Sequence, residues 1–143
     1  AIPIIKSLKN KIDVKKNVII DAPPGTSCPV IESITNSDYC ILVTEPTPFG
    51  FHDLKLAIEV VRHLNIPFGV IINRDGIGNG KIEDYCKKEK ICVLLKVPER
   101  KKIAQLYSKG IALVTEVYEW QEMFGLVYEK ILKRIKNETT YNN

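Results

Sequence analysis

Four short apolar runs of β-type residues do most to constrain the fold of this chain: Asn17 to Asp21, Tyr39 to Thr44, Phe68 to Asn73 and Ile91 to Val97. The run Tyr39 to Thr44 (Y-C-I-L-V-T) has no polar alternation, as expected for a strand covered on both faces. Segments with helical spacing separate the runs. Helices are expected from Pro3 to about Lys11, from Ser27 or Cys28 to about Asn36, from Phe51 or His52 to Leu64, and from Ile82 to Lys90. Two more are expected, from Arg100 to Lys109 and from about Glu116 to Lys136. In the last, Val117, Trp120, Phe124, Val127, Ile131 and Ile135 form one stripe, so it should dock on the sheet. The prolines of Glu45-Pro46-Thr47-Pro48-Phe49-Gly50 mark a loop. Strands alternating with helices predict an α/β fold, a mostly parallel sheet with helices on both faces. One domain over 1–136 is expected, followed by a frayed polar tail over 137–143.

The size permits such a core. A chain of 143 residues, 45% of them apolar, suits one globular domain that buries roughly two thirds of its unfolded surface. The net charge of +4 comes from 21 basic and 17 acidic residues spread along the sequence. The densest basic cluster, Glu99-Arg100-Lys101-Lys102, reads as a solvated helix face, so no nucleic-acid partner is expected. No run reaches the length of a membrane span and no signal-peptide pattern is recognised; the expected location is cytoplasmic.

Ligand sites of open α/β sheets gather at the carboxyl ends of the strands. Here those ends are Asp21 to Thr26, Thr44-Glu45-Pro46, Asn73-Arg74 and Val97-Pro98-Glu99. Asp21 closes the run Val18-Ile19-Ile20, where a carboxylate can hold Mg²⁺ through water. The turn after it, Ala22-Pro23-Pro24-Gly25-Thr26, offers at Gly25 a backbone N–H with no side chain to keep a terminal phosphate away. Asn73 presents an amide able to read the edge of a purine, or alternatively to cap a strand-end turn. An acid capping the turn is likewise the plain alternative for Asp21.

The cysteines are Cys28, Cys40, Cys86 and Cys92, and no two form C-x-x-C. Cys40 and Cys92 fall in apolar runs and read as small core residues, Cys86 as a surface or half-buried thiol on a charged helix. Cys28, beside the turn, stays open between helix-start packing and a redox role.

The pattern D-x-x-P-G resembles the second switch (Walker B) of MinD/ParA-type P-loop ATPases. The longer string Asp21 to Pro29 (D-A-P-P-G-T-S-C-P) resembles the branch of that family with an inserted ferredoxin-like segment. Thr44 to Leu54 (T-E-P-T-P-F-G-F-H-D-L) and Ile71 to Arg74 (I-I-N-R) extend the likeness. The resemblance implies a partial P-loop NTPase fold that uses ATP and Mg²⁺. Asp21 and Gly25 would be catalytic, with Mg²⁺ held through water by Asp21. Pro24, Thr26, Asn73, Arg74, Pro98 and Glu99 would contact the nucleotide. It also implies a homodimer, an iron–sulfur cluster in a segment outside this chain, and an iron–sulfur or redox protein as partner.

A P-loop, G-x-x-x-x-G-K-[ST], is missing. The Gly80-Lys81 pair is preceded by Asp75 where the first glycine belongs and followed by Ile82 in place of Ser/Thr, so it reads as a loop leading into a helix. In the family, the P-loop and the inserted segment lie upstream of the second switch. The chain is therefore expected to correspond to the C-terminal part of a larger ATPase and to be inactive alone. The family's P-loop strand lies between the switch strand and the one at Tyr39 to Thr44. Without it, either those two close together or a gap exposes unpaired backbone and invites self-association. A non-enzymatic scaffold that kept the fold, and a ligase or amidotransferase related in fold to dethiobiotin synthetase, are the competing readings.

Overall fold

The computed structural model describes residues 2–141. Its elements, in chain order, are α1 (Ile2–Lys9), α2 (Cys28–Ile34), β1 (Cys40–Thr44), α3 (Pro48–His63), β2 (Phe68–Asp75), α4 (Lys81–Lys88), β3 (Val93–Pro98), α5 (Lys101–Ser108), α6 (Leu113–Glu116) and α7 (Tyr118–Tyr141). The strands form one parallel sheet in the order β1-β2-β3. Cys40 stands opposite Phe68 and Thr44 opposite Ile72, while Ile71 faces Leu95 and Ile72 faces Lys96.

Helices cover both faces of β2, whereas β1, the run Tyr39 to Thr44 expected to be covered on both faces, alternates and leaves Ile41 and Val43 exposed. On one face Leu54 and Ile58 of α3 and Ile82 and Cys86 of α4 close over Val70 and Ile72. On the other, Trp120, Val127 and Ile131 of α7 pack on Ile71, Leu95 and Val97. Each fully buried aliphatic side chain stabilises the fold by roughly 1.5–3 kcal/mol, so these two layers outweigh any surface pair. Phe124, expected on the inner stripe of α7, is instead partly exposed.

Two helix boundaries and one additional helix differ from expectation. Helix α3 begins at Pro48, inside the segment read as loop. A proline at the first helical position gives up an N–H that would have no partner there. Thr47 caps that end, its hydroxyl accepting from the Gly50 N–H at 3.0 Å. The short α6 was not anticipated. Helix α7 continues through Tyr141, whereas the polar composition beyond Lys136 predicted a frayed tail; residues 142 and 143 lie outside the described residues.

The largest correction concerns the first expected strand. Residues 17–21 form no strand, and Val18, Ile19 and Ile20 are all exposed. A strand exists only when neighbours take its N–H and C=O groups, and none of the described strands pairs with this segment. The closing of that segment onto β1 is not seen among the described residues. Strand β1 pairs on one side alone, and its Ile41 and Val43 are 43% and 66% exposed. The segment is tethered instead to α7, where the Asn17 amide donates to the Tyr128 hydroxyl at 2.5 Å. Helices α1 and α2 pack together, with the Lys9 ammonium donating to the carbonyls of Glu32 (2.8 Å) and Thr35 (2.6 Å) at the end of α2.

Candidate functional site

The three strands deliver their carboxyl ends to one rim. At the end of β1, Thr44 is buried and its hydroxyl donates to the Gly50 carbonyl at 2.9 Å, folding the loop that carries Glu45 back on itself. That loop is tight: a Cβ on Gly50 would stand 2.4 Å from the Glu45 carbonyl oxygen.

Near the end of β2 the ladder breaks. Pairing passes from Ile72 opposite Lys96 to Asp75 opposite Pro98, so Asn73 and Arg74 share the single residue Val97 as their counterpart. This is a β-bulge, a device that re-aims side chains at a sheet's rim. Arg74 adopts φ 56°, a left-handed conformation that is costly for a residue with a Cβ. Its guanidinium bridges the two flanking loops: Nε donates to Glu99 at 2.9 Å and Nη1 to Glu45 at 3.4 Å. The Glu99 hydrogen bond chiefly, then the charges of Glu99 and Glu45, raise the Arg74 pKa above its ordinary value. Beyond the bulge the Glu99 N–H donates to the Asp75 carbonyl at 2.9 Å.

Asn73 itself is half-buried, and its amide makes no hydrogen bond among the described residues. Pro98 is half-buried at the end of β3. The structure thus brings Asn73, Arg74, Pro98 and Glu99 to one rim. It adds Glu45, whose strand-end position was legible but whose pairing with Arg74 was not.

Asp21, Pro24, Gly25 and Thr26 are exposed, and Gly25 takes φ 94° with nothing within 4 Å of where a Cβ would stand. A residue other than glycine would be strained there. The Asp21 carboxylate caps no turn and meets no cation among the described residues. Among the described residues no hydrogen bond or ion pair joins this group to the rim of β1–β3.

A second ion cluster lies beside the rim. Lys96 donates to Asp75 at 3.1 Å and to Glu83 at 2.9 Å, tying the start of α4 to β2 and β3. The Lys96 hydrogen bond lowers the Glu83 pKa, and the bonds to Glu83 and then Asp75 raise that of Lys96. The glycine loop before α4 packs back on the first loop, for a Cβ on Gly78 would meet Pro46 at 2.5 Å. As expected, Gly80-Lys81 is a helix start. A cavity of about 390 Å³ lies at the amino ends of the strands among Tyr39, Arg62, Pro67, Cys92 and Arg134. It is away from the rim where such sheets bind ligands.

No family model matches the chain. An uncharacterized protein of Methanocaldococcus jannaschii is 41% identical over 92 residues, 64% of this chain and 31% of that protein. An iron-sulfur cluster carrier protein of the same organism is 28% identical over 137 residues, 85% of this chain and 47% of that protein. The crystal structure of the cell division ATPase MinD from Pyrococcus furiosus matches with a TM-score of 0.64 at 21% identity, over 94% of this chain and 57% of that one. The fold is that of MinD. The chain spans less than half the length of these two curated relatives.

The donor chemistry separates the cofactors that the resemblance implies. Mg²⁺ on a nucleotide needs one or two protein carboxylates, the rest being phosphate and water, and exposed Asp21 suits that. An iron–sulfur cluster needs several converging thiolates. Cys28 is exposed, Cys40 and Cys92 half-buried, and Cys86 buried, near enough to Cys92 to feel its charge. Among the described residues no three metal-ligating side chains gather. Cys86 corrects the expectation of a surface or half-buried thiol, because it is buried and packs with Val70 and Ile72 under α4. Burial chiefly raises its pKa and that of Cys40, which disfavours thiolates. No helix is long and apolar enough to cross a membrane among the described residues.

Proposed function

We propose that this chain is the base-reading and γ-phosphate-sensing part of a cytoplasmic ATPase of the MinD/ParA kind, a C-terminal portion of its domain. The observation that carries the proposal is the rim, where Asn73 with a free amide, Pro98, Glu99 and Glu45 converge from three parallel strands around Arg74. In this reading the purine edge meets Asn73 and the base lies against Pro98. Asp21 holds Mg²⁺ through water while the Gly25 N–H meets the terminal phosphate; ATP and Mg²⁺ supply the charge and the leaving group when bound. The unpaired edge of β1 accepts the strand that brings a phosphate loop. That loop would join the two pieces of the site and let Asp21 and Gly25 respond to the γ-phosphate as a conformational switch.

The likeness to an iron-sulfur cluster carrier supports work alongside iron–sulfur chemistry. Since no three metal-ligating side chains gather among the described residues, the cluster would belong to another segment or to a redox partner, and the working unit would be a homodimer.

A titration of the purified chain with MgATP, followed by amide NMR, tests the reading. We expect weak, millimolar binding with shifts confined to residues 21–26, 73–74 and 98–99, lost in Asn73→Ala, and no phosphate release above background. Shifts centred on the amino-end cavity, or no response at the rim, would overturn the base-reading assignment. ATP hydrolysis abolished by Asp21→Ala would overturn the claim that this part is inactive alone. A scaffold that merely retained the fold predicts no response to nucleotide anywhere.

A further inference from the structure

Among the described residues four other than glycine have positive φ: Asn36, Asn65, Arg74 and Lys90. Three of them follow helices directly, each just past the cap of α2, α3 or α4, where a left-handed residue is the ordinary way to stop. Arg74 is different in kind. It lies inside β2, at the bulge, in a conformation that glycine would take without cost.

Its side chain gives a reason. A guanidinium is a planar fork with donors pointing in different directions. Nε takes Glu99 from the loop after β3, and Nη1 takes Glu45 from the loop after β1. The loop holding Glu45 is itself braced by Thr44 on Gly50 and by Gly78 beneath Pro46. One side chain therefore ties all three strand-end loops. Exposed ion pairs contribute little to stability, so the clasp is poorly explained as a stabiliser. Geometry remains: the residue before it in the bulge is Asn73.

We propose that Arg74 is a positioning residue, whose clasp by Glu45 and Glu99 holds the β2 bulge so that the Asn73 amide stands in one orientation at the rim. A bulge held from both sides presents that amide ready-made, sparing a ligand the ordering cost. The consequence for a ligand, discrimination of adenine from guanine nucleotides, rests on the reading of Asn73 given above; the positioning itself does not.

The test separates the two. In ¹⁵N NMR spectra of the whole chain we expect a protected Arg74 Nε–H signal and one resolved Asn73 side-chain NH₂ pair. Arg74→Gly keeps a backbone tolerant of the left-handed conformation and removes the clasp; Glu45→Gln with Glu99→Gln removes it from the other side. Both should shift the Asn73 pair towards its unstructured position, while the melting midpoint stays near that of the parent. Arg74→Lys, with a point charge for the fork, should give only partial rescue. An unmoved Asn73 pair in Arg74→Gly overturns the proposal. So does a lowered melting midpoint with shifts across the whole sheet, which would make Arg74 a general stabiliser. The ratio of ATP to GTP affinity gives the second arm. If Asn73→Ala leaves that ratio unchanged while Arg74→Gly still frees the Asn73 amide, the base reading fails and the positioning role stands.

Discussion

The tripeptide Val-Ile-Ile occurs twice, and its two copies meet opposite fates. In β2, Val70, Ile71 and Ile72 are 0%, 8% and 0% exposed, paired on both sides and covered on both faces. Val18, Ile19 and Ile20 are 46%, 88% and 40% exposed and belong to no strand. Local propensity is identical, so propensity decides neither outcome. What differs is the neighbourhood: β2 has β1, β3, α3, α4 and α7 around it, whereas the earlier copy is anchored through one side-chain bond from Asn17 to Tyr128. A β-prone run is a request for partners, and a strand is the answer when partners exist.

Substitution at matched positions should give the widest separation. Ile72→Ala should cost about 2–5 kcal/mol, the range for emptying a well-packed aliphatic site, and Ile19→Ala should stay within about 0.5 kcal/mol. Urea denaturation of the two variants measures both. Comparable losses would mean that residues 18–20 are packed in solution, and the contrast would collapse.

A middle-sized effect tests whether the rim is as tightly built as the core beneath it. Gly50→Ala forces a Cβ against the Glu45 carbonyl oxygen, where 2.4 Å is available. We expect a loss of about 1–3 kcal/mol, as for other overpacked sites, with amide shifts spreading through Glu45 to Arg74. A neutral Gly50→Ala would show the loop to be slack.

The smallest effect sharpens the same boundary through pH. Lys96 depresses the folded-state pKa of Glu83, so this pair contributes stability above the ordinary glutamate value of about 4.3. That contribution is lost as pH falls through the depressed value. Lys96→Met should remove less than about 1 kcal/mol at neutral pH and flatten the acid limb of the melting-temperature profile. An acid limb unchanged by the substitution would show that the pair is not coupled to folding. Residues 17–21 carry no such pair, and their nearest acid, Asp21, meets no cation among the described residues.

Much of this was readable from residues alone, because hydrophobic pattern and turn chemistry act locally. Tyr39 to Thr44, Phe68 to Asn73 and Ile91 to Val97 correspond to β1, β2 and β3, but the covering on both faces expected of Tyr39 to Thr44 is found at β2 and not at β1, an edge strand with one face exposed. The rim residues followed from the rule that sites gather at strand ends. The start of α3 at Pro48 escaped because a proline reads as a breaker until its place at the first helical position is known. Cys86 escaped because the charges around it on α4 hid a single buried stripe.

The chain's own residues, then, determined which segments could be strands, which helices had an apolar side, and which side chains would stand at the sheet's edge. Tertiary structure alone decided that Val18 to Asp21 goes unpaired, that β2 carries an extra residue opposite Val97, and that Arg74 reaches Glu45 and Glu99 from strands far apart in sequence. The reason is physical. Periodicity and capping depend on neighbours a few residues away, whereas ladder partners and ion-pair geometry depend on what the completed sheet places alongside.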